Sequence, residues 1–245
     1  MADLSNITAL ITGGTSGMGT EFVKNFVEHG AHVVFTGTNI KRGQKIEAEI
    51  GTNCHFIQQD VSDPEQWVQV VAEGEKTYGP FNVLVNNAGI GVIKSIDDLT
   101  LEEYDKIIKV NQYSVFYGMK FILPSMRKHK SGSIINISSI GGLVAMTGSV
   151  AYGASKFAVR GMSKDAALDL SPDNIRVNSV HPGIVETPIL SGIPDEAKKE
   201  IAKDVPMNRL GKPEELANVV NFLASDESSF ITGAEITADG GYTMR

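Results

Sequence analysis

Seven short runs rich in β-branched and other apolar residues, at 7–12, 32–36, 55–59, 82–86, 133–138, 176–180 and 235–238, alternate along the chain with stretches of helical length. Strands separated by helices pair in parallel through crossovers, and runs that are continuously apolar suit strands covered on both faces. The expectation is an α/β fold, a doubly wound sheet of seven parallel strands. Residues 1–245 are expected to form a single domain, because no linker-like change of composition interrupts the alternation. Several helices announce their starts. Asp63-Pro64-Glu65 offers an N-cap followed by proline at the first helical position, Thr100-Leu101-Glu102-Glu103 fits a capping box opening a long helix to about Lys128, and Lys212-Pro213-Glu214-Glu215 opens another. The Pro- and Gly-rich connection 182–211 is long enough to serve as a lid, centred on 184–210, over a binding site.

Composition removes several classes of function. With 22 Lys and Arg against 29 Asp and Glu the net charge is −7, which repels nucleic acid and anionic membranes. The single cysteine, Cys54, leaves no intrachain disulfide and no cysteine-built zinc site, and points to a reducing compartment. No apolar run reaches the ~18–20 residues of a membrane helix. Residues 1–5 lack the basic and apolar parts of a secretory leader, so the cytoplasm is the expected location. The histidines, at 29, 32, 55, 129 and 181, are neither spaced nor grouped with acids as metal ligands, so no metal is expected. Trp67 reads as packing beside Val70 and Val71, and the cations Arg127, Lys128, His129 and Lys130 complement a helix C-terminus.

The remaining polar residues point to a dinucleotide and a proton transfer. The first strand runs into Thr12-Gly13-Gly14-Thr15-Ser16-Gly17-Met18-Gly19 and then a helix pattern. Glycines let such a turn be tight and approach a ligand closely, and the helix N-terminus offers free N–H groups to a pyrophosphate. A bland glycine turn is the rival reading, and the position after the first strand of an alternating chain favours the dinucleotide. Tyr152 and Lys156 stand four apart in a helix expected over 151–170, so they share a face. A cation beside a phenol lowers its pKa from about 10, as proton transfer near neutrality requires. Ser138 and Ser139 end the fifth strand, where open α/β sheets bind ligands, and a loop and a helix start separate Ser139 from Tyr152.

Taken together, the glycine turn, Asp60 after the third strand, Asn86-Asn87-Ala88-Gly89 after the fourth, Asn111, Ser139, Tyr152, Lys156, Pro182-Gly183 and Thr187 make the chain resemble the short-chain dehydrogenase/reductase family over essentially its whole length. The resemblance implies a Rossmann-like sheet in the order 3-2-1-4-5-6-7 and a homotetramer joined through the long fourth and fifth helices. It also implies that Tyr152 is the proton donor in reduction, that Ser139 bonds the substrate oxygen, that Lys156 binds the nicotinamide ribose and depresses Tyr152, and that Asn111 anchors a relay water. Asp60 would bind adenine, while Asn87 and Thr187 would hold the ribose and nicotinamide. The expected cofactor-binding set is Gly13, Thr15, Ser16, Gly17, Met18, Gly19, Gly37, Thr38, Asn39, Arg42, Asp60, Val61, Asn87, Ala88, Gly89, Tyr152, Lys156, Pro182, Gly183, Val185 and Thr187.

After the second strand the chain reads Gly37-Thr38-Asn39-Ile40-Lys41-Arg42. With no acid to repel a 2′-phosphate and two cations nearby, NADP is expected and NAD is the alternative; Lys41 and Arg42 also suit the solvated first turn of a helix. Substrate recognition is expected from 90–94, 140–146 and 184–190. Ile93, Leu143, Val144, Met146, Ile189 and Leu190 would form an apolar wall, with Glu186 and Lys94 as polar anchors. The expected function is an NADP(H)-dependent carbonyl reductase or secondary alcohol dehydrogenase acting on a small molecule with an apolar body. The enzyme alternative is a 3-oxoacyl-carrier-protein reductase, and the non-enzyme alternative a dinucleotide-binding sensor or scaffold, which would need no proton donor.

Overall fold

The computed structural model describes residues 2–188 and 194–244. Seven strands form one sheet: β1 (Thr8–Ile11), β2 (His32–Gly37), β3 (Cys54–Gln58), β4 (Val83–Asn86), β5 (Gly132–Ile137), β6 (Ile175–Pro182) and β7 (Glu235–Ala238). All pairings are parallel, and the spatial order is β3-β2-β1-β4-β5-β6-β7. The strand expectations miss by two residues at most. Between the strands run α1 (Gly17–Glu28), α2 (Ile40–Ile50), α3 (Pro64–Tyr78), α4 (Leu101–Ile108), α5 (Ser114–His129), α6 (Val150–Leu170), α7 (Asp195–Lys203) and α8 (Pro213–Ala224).

The alternation of side chains along each strand divides the core in two. Ala9, Ile11, Val33, Phe35, Val83 and Val85 face Phe22 and Phe26 of α1 and Leu216 and Val220 of α8. Leu10, Val34, Leu84, Ile134 and Val177 face Trp67 and Val70 of α3, Ile122 and Met126 of α5 and Val159 of α6. Trp67 is fully buried, and its indole N–H donates to the Val61 carbonyl at 2.9 Å. It packs, as its helical spacing suggested. At the edge strand β3, His55 bridges Glu47 of α2 at 2.8 Å and Glu73 of α3 at 3.1 Å. Burial works against its charge, but hydrogen bonds to the two carboxylates outweigh that and raise its pKa.

The caps form as the sequence indicated. Asp63 accepts from the Glu65 N–H at 2.9 Å, and Thr100 and Glu103 make a reciprocal capping box. The helix opened by Thr100 is not continuous, however. It changes register through a π-turn at Lys109–Tyr113 before α5 resumes, so one extra residue is accommodated in a single turn. Asn111, which a regular helix would leave ordinary, is thereby fully buried. In the last turn of α5, Arg127 pairs with Asp173 at 2.7 Å and Lys128 with Glu75 at 2.9 Å. Among the described residues no helix is long and apolar enough to cross a membrane.

Candidate functional site

The loops at the carboxyl ends of β1, β2, β3 and β4 enclose a cleft of about 610 Å³. Its floor is the glycine turn. Gly13 sits at φ +68°, and a Cβ there would stand 2.9 Å from the Ala88 Cα. A Cβ on Gly19 would strike the Gly13 carbonyl. The turn can therefore lie against the Asn87-Ala88 segment, which it meets through bonds from the Asn87 side chain to the Thr12 carbonyl at 2.9 Å and from the Asn87 N–H to the Thr12 hydroxyl at 3.0 Å. The cradle is bare main chain ending at the N-terminus of α1, which suits a pyrophosphate.

Of the expected cofactor residues, Gly13, Thr15, Ser16, Gly17, Met18, Gly19, Gly37, Thr38, Asp60, Val61, Asn87, Ala88, Gly89 and Thr187 line this cleft. Arg42 stands in an adjoining groove of about 390 Å³ that shares Thr15, Ser16 and Gly17 with it and adds Lys45. Arg42 is also in the first turn of α2. The Asn39 side chain is occupied as the α2 N-cap, accepting from the Arg42 N–H at 3.0 Å. Gly183 packs on β7, where a Cβ would come within 2.7 Å of the Asp239 Cα, and Val185 is buried in the core beside Gly211. Gln59, Ile90, Lys106, Val110 and Pro188 complete the lining; Ile90 and Pro188 fall in segments expected at the substrate, whereas Gln59, Lys106 and Val110 were not anticipated. Gln59 and Val110 owe their places to the end of β3 and to the π-turn, features that no local motif marks.

Gly37 has a neighbour that explains it. A Cβ at this position would meet the Thr15 hydroxyl oxygen at 2.5 Å and its methyl carbon at 2.6 Å, so the space beside the second strand's end already belongs to Thr15.

Next to the cleft, four side chains from three elements converge. Ser139, at the end of β5, is extended, and its Oγ accepts from the Gly141 N–H at 3.0 Å. Tyr152 and Lys156 lie on the inward face of α6. Tyr152 stands beside Ser139, both meeting Gly141, close enough for the serine side chain to act on the phenol. Its ring lies close to Gly91 and Gly141, where Cβ atoms would come within 3.3 Å and 3.2 Å. Lys156 is buried, with Nζ donating to the Ile137 carbonyl at 2.8 Å and standing 5.7 Å from the Tyr152 ring centre. Asn111 exchanges two bonds with the main chain of Ile90, both at 2.8 Å, and donates to Ser155 Oγ at 3.2 Å. Ser155 in turn donates to the Tyr152 carbonyl at 2.7 Å. Asn111 thereby ties the loop after β4 to the helix that carries the tyrosine.

The electrostatics differ from the simple expectation. Burial raises the Tyr152 pKa, the Ser139 hydrogen bond opposing it, and Lys156 does not depress it. The reason is placement: the ammonium is engaged with the β5 main chain rather than with the phenol oxygen. Burial pushes Lys156 itself down to about 8. A protonated phenol beside a serine hydroxyl next to the cleft can deliver a proton to a bound oxygen.

On the substrate side, Ile90, Ile93, Ile96 and Met146 are exposed apolar side chains, Ile93 at 84% and Ile96 at 70%. Lys94 is paired with Glu103 at 2.5 Å, and its N–H donates to the Gly148 carbonyl at 2.9 Å. Ile189 and Leu190 lie outside the described residues.

A family model described as enoyl-(acyl carrier protein) reductase matches residues 13–243. Among curated relatives, the chain is 44% identical to the NADP-dependent (R)-specific alcohol dehydrogenase of Lentilactobacillus kefiri, over 99% of this chain and 98% of that protein. It is 42% identical to the 3-alpha-(or 20-beta)-hydroxysteroid dehydrogenase of Mycobacterium tuberculosis, over 95% of this chain and 88% of that one. It is 40% identical to the cyclopentanol dehydrogenase of a Comamonas species, over 99% of each. With a parallel sheet in the order 3-2-1-4-5-6-7, a glycine turn at the first strand and relatives matched from end to end, the chain belongs to the short-chain dehydrogenase/reductase family of oxidoreductases.

Proposed function

We propose that this oxidoreductase interconverts ketones and secondary alcohols with an apolar body, using NADP(H), in the cytoplasm and as a homotetramer. The observation that carries the reading is the convergence of Ser139, Tyr152, Lys156 and Asn111 beside a cleft with a glycine floor. The relatives named as alcohol, hydroxysteroid and cyclopentanol dehydrogenases support the substrate class. The cations Arg42 and Lys45 beside Thr15 and Ser16, and the absence of an acid at Gly37, support the phosphorylated dinucleotide, as does the relative named NADP-dependent.

In this reading, Asp60 and Val61 hold the adenine end, the turn from Gly13 to Gly19 the pyrophosphate, and Asn87, Lys156 and Thr187 the ribose and nicotinamide side. When bound, the nicotinamide supplies the hydride for the carbonyl carbon or accepts it from the alcohol. Ser139 orients the substrate oxygen, and Tyr152 gives that oxygen its proton in reduction and removes it in oxidation. Asn111 anchors the relay water through which the tyrosine is reprotonated. The segment 184–210 closes over the substrate, its two ends joined where Glu186 N–H bonds the Gly211 carbonyl and Gly211 N–H the Ile184 carbonyl, both at 2.9 Å.

Loss of NADPH absorbance over a panel of aliphatic, cyclic and steroidal ketones tests the reading, with a 3-oxoacyl-carrier thioester alongside. The expected outcome is a larger kcat/KM for an apolar ketone. Arg127 and Lys128, the cations that an acidic carrier would meet, are already paired with Asp173 and Glu75. A larger value for the thioester overturns the substrate assignment, and binding of NADPH with no turnover of any ketone favours the sensor.

A further inference from the structure

His181 is fully buried at the end of β6, one residue before Pro182-Gly183, and its ring lies between two partners. Nδ1 is 3.1 Å from the Ser139 carbonyl and Nε2 is 2.9 Å from the Ser179 hydroxyl. A carbonyl only accepts, so the proton is on Nδ1, and Ser179 donates to Nε2. The same Ser139 carbonyl takes the Gly142 N–H at 2.9 Å, while the Ser139 hydroxyl takes the Gly141 N–H at 3.0 Å. These bonds fix the peptide plane of Ser139 and the direction of its side chain. From the proposed reaction and this geometry we infer that His181 is the positioning residue for Ser139, setting where the serine hydroxyl meets the substrate oxygen and Tyr152. The ring keeps the neutral form this needs, because burial lowers its pKa and Arg160 and Lys156 of α6 add to that, against the Ser139 carbonyl and Glu235 of β7.

The role is specific enough to separate from bulk packing. An asparagine at 181 carries an N–H near the Nδ1 position and a glutamine one near Nε2, whereas leucine fills the space with neither. Ketone reduction and NADPH binding, the latter by fluorescence titration, are measured for wild type, His181→Leu, His181→Asn, His181→Gln, Ser139→Ala and the Ser139→Ala/His181→Leu pair. His181→Leu is expected to lose about 10- to 100-fold in kcat through misplacement of the serine. Its NADPH dissociation constant stays within about twofold of wild type. His181→Asn recovers most of the loss and His181→Gln does not. In the Ser139→Ala background the leucine costs no more than about twofold, because the group it misplaces is gone. Equal kcat for the Asn and Gln variants overturns the assignment, as does an undiminished leucine effect in the Ser139→Ala background, or a fall in NADPH affinity parallel to kcat. If the leucine variant does not fold, the comparison of Asn with Gln decides. A wild type that binds NADPH but reduces no ketone refutes the reaction itself, and the role of His181 with it.

Discussion

At the scale of single residues, the phenol of Tyr152 has the most to do with the least change in structure. Replacing it with Phe keeps the ring between Gly91 and Gly141 and removes one oxygen, so kcat should fall at least ~10²-fold while NADPH binding is unchanged; steady-state rates and a binding titration check this. The direction of its pKa sets a second outcome. A raised value keeps the phenol protonated across neutrality, the form that donates. Ketone reduction should therefore hold steady through neutral pH and decline on the alkaline side as the phenol ionises, and alcohol oxidation should climb with pH; rate profiles in both directions decide, and a reduction rate that falls on going from about pH 6 to 8 contradicts it. Gly37→Asp brings a carboxylate toward the place a 2′-phosphate would take, and the preference should move toward NADH by roughly 10- to 1,000-fold. Because the new Cβ would meet Thr15 Oγ1 at 2.5 Å and the Thr15 methyl carbon at 2.6 Å, pairing it with Thr15→Ala, which removes both, should move KM for the two cofactors further than the single change. Ser139, Tyr152 and Lys156 were legible because their residue types announce proton chemistry and their spacing places them together. Asn111 was legible only through family resemblance, since its burial depends on a change of helix register, and His181 was passed over because a lone histidine in an apolar strand looks like core.

At the scale of elements, boundaries were easiest to read where side chains themselves complete the backbone. Thr100 takes the Glu103 N–H at 3.2 Å and Glu103 returns to the Thr100 N–H at 3.0 Å, a pattern visible in the four letters that form it. Thr100→Ala should cost about 1 kcal/mol of stability with activity retained, measurable as a lower midpoint in urea. The π-turn at Lys109–Tyr113 has no such local mark. It answers to the contacts of Asn111 with Ile90 and Ser155, both distant in sequence, so a single continuous helix was the natural expectation. The segment around 184–210 was legible as a long connection, and its closed base at Gly211 emerges only from the fold.

At the scale of the whole molecule, the sheet was legible because alternating strands and helices leave few arrangements, and the carboxyl end of such a sheet is where ligands bind. Assembly leaves fainter marks, because an apolar residue in a helix serves core or interface equally. Here Phe116 of α5 is 48% exposed and Phe157 of α6 45% exposed, too much for core side chains. The proposed tetramer should scatter light with about four times the 26.3 kDa of one chain under active conditions, and a monomer would contradict it. The two edges of the sheet differ in kind. On β3, His55 is gripped by Glu47 and Glu73, and Glu47 also takes the Phe56 N–H at 3.1 Å, so charge and an occupied main-chain donor disfavour pairing along this edge. The β7 edge is only half covered, with Phe230 fully exposed nearby. Were two copies to meet through β7, each would use up the other's free edge, and extension along that strand would end with the pair rather than run on as a fibre.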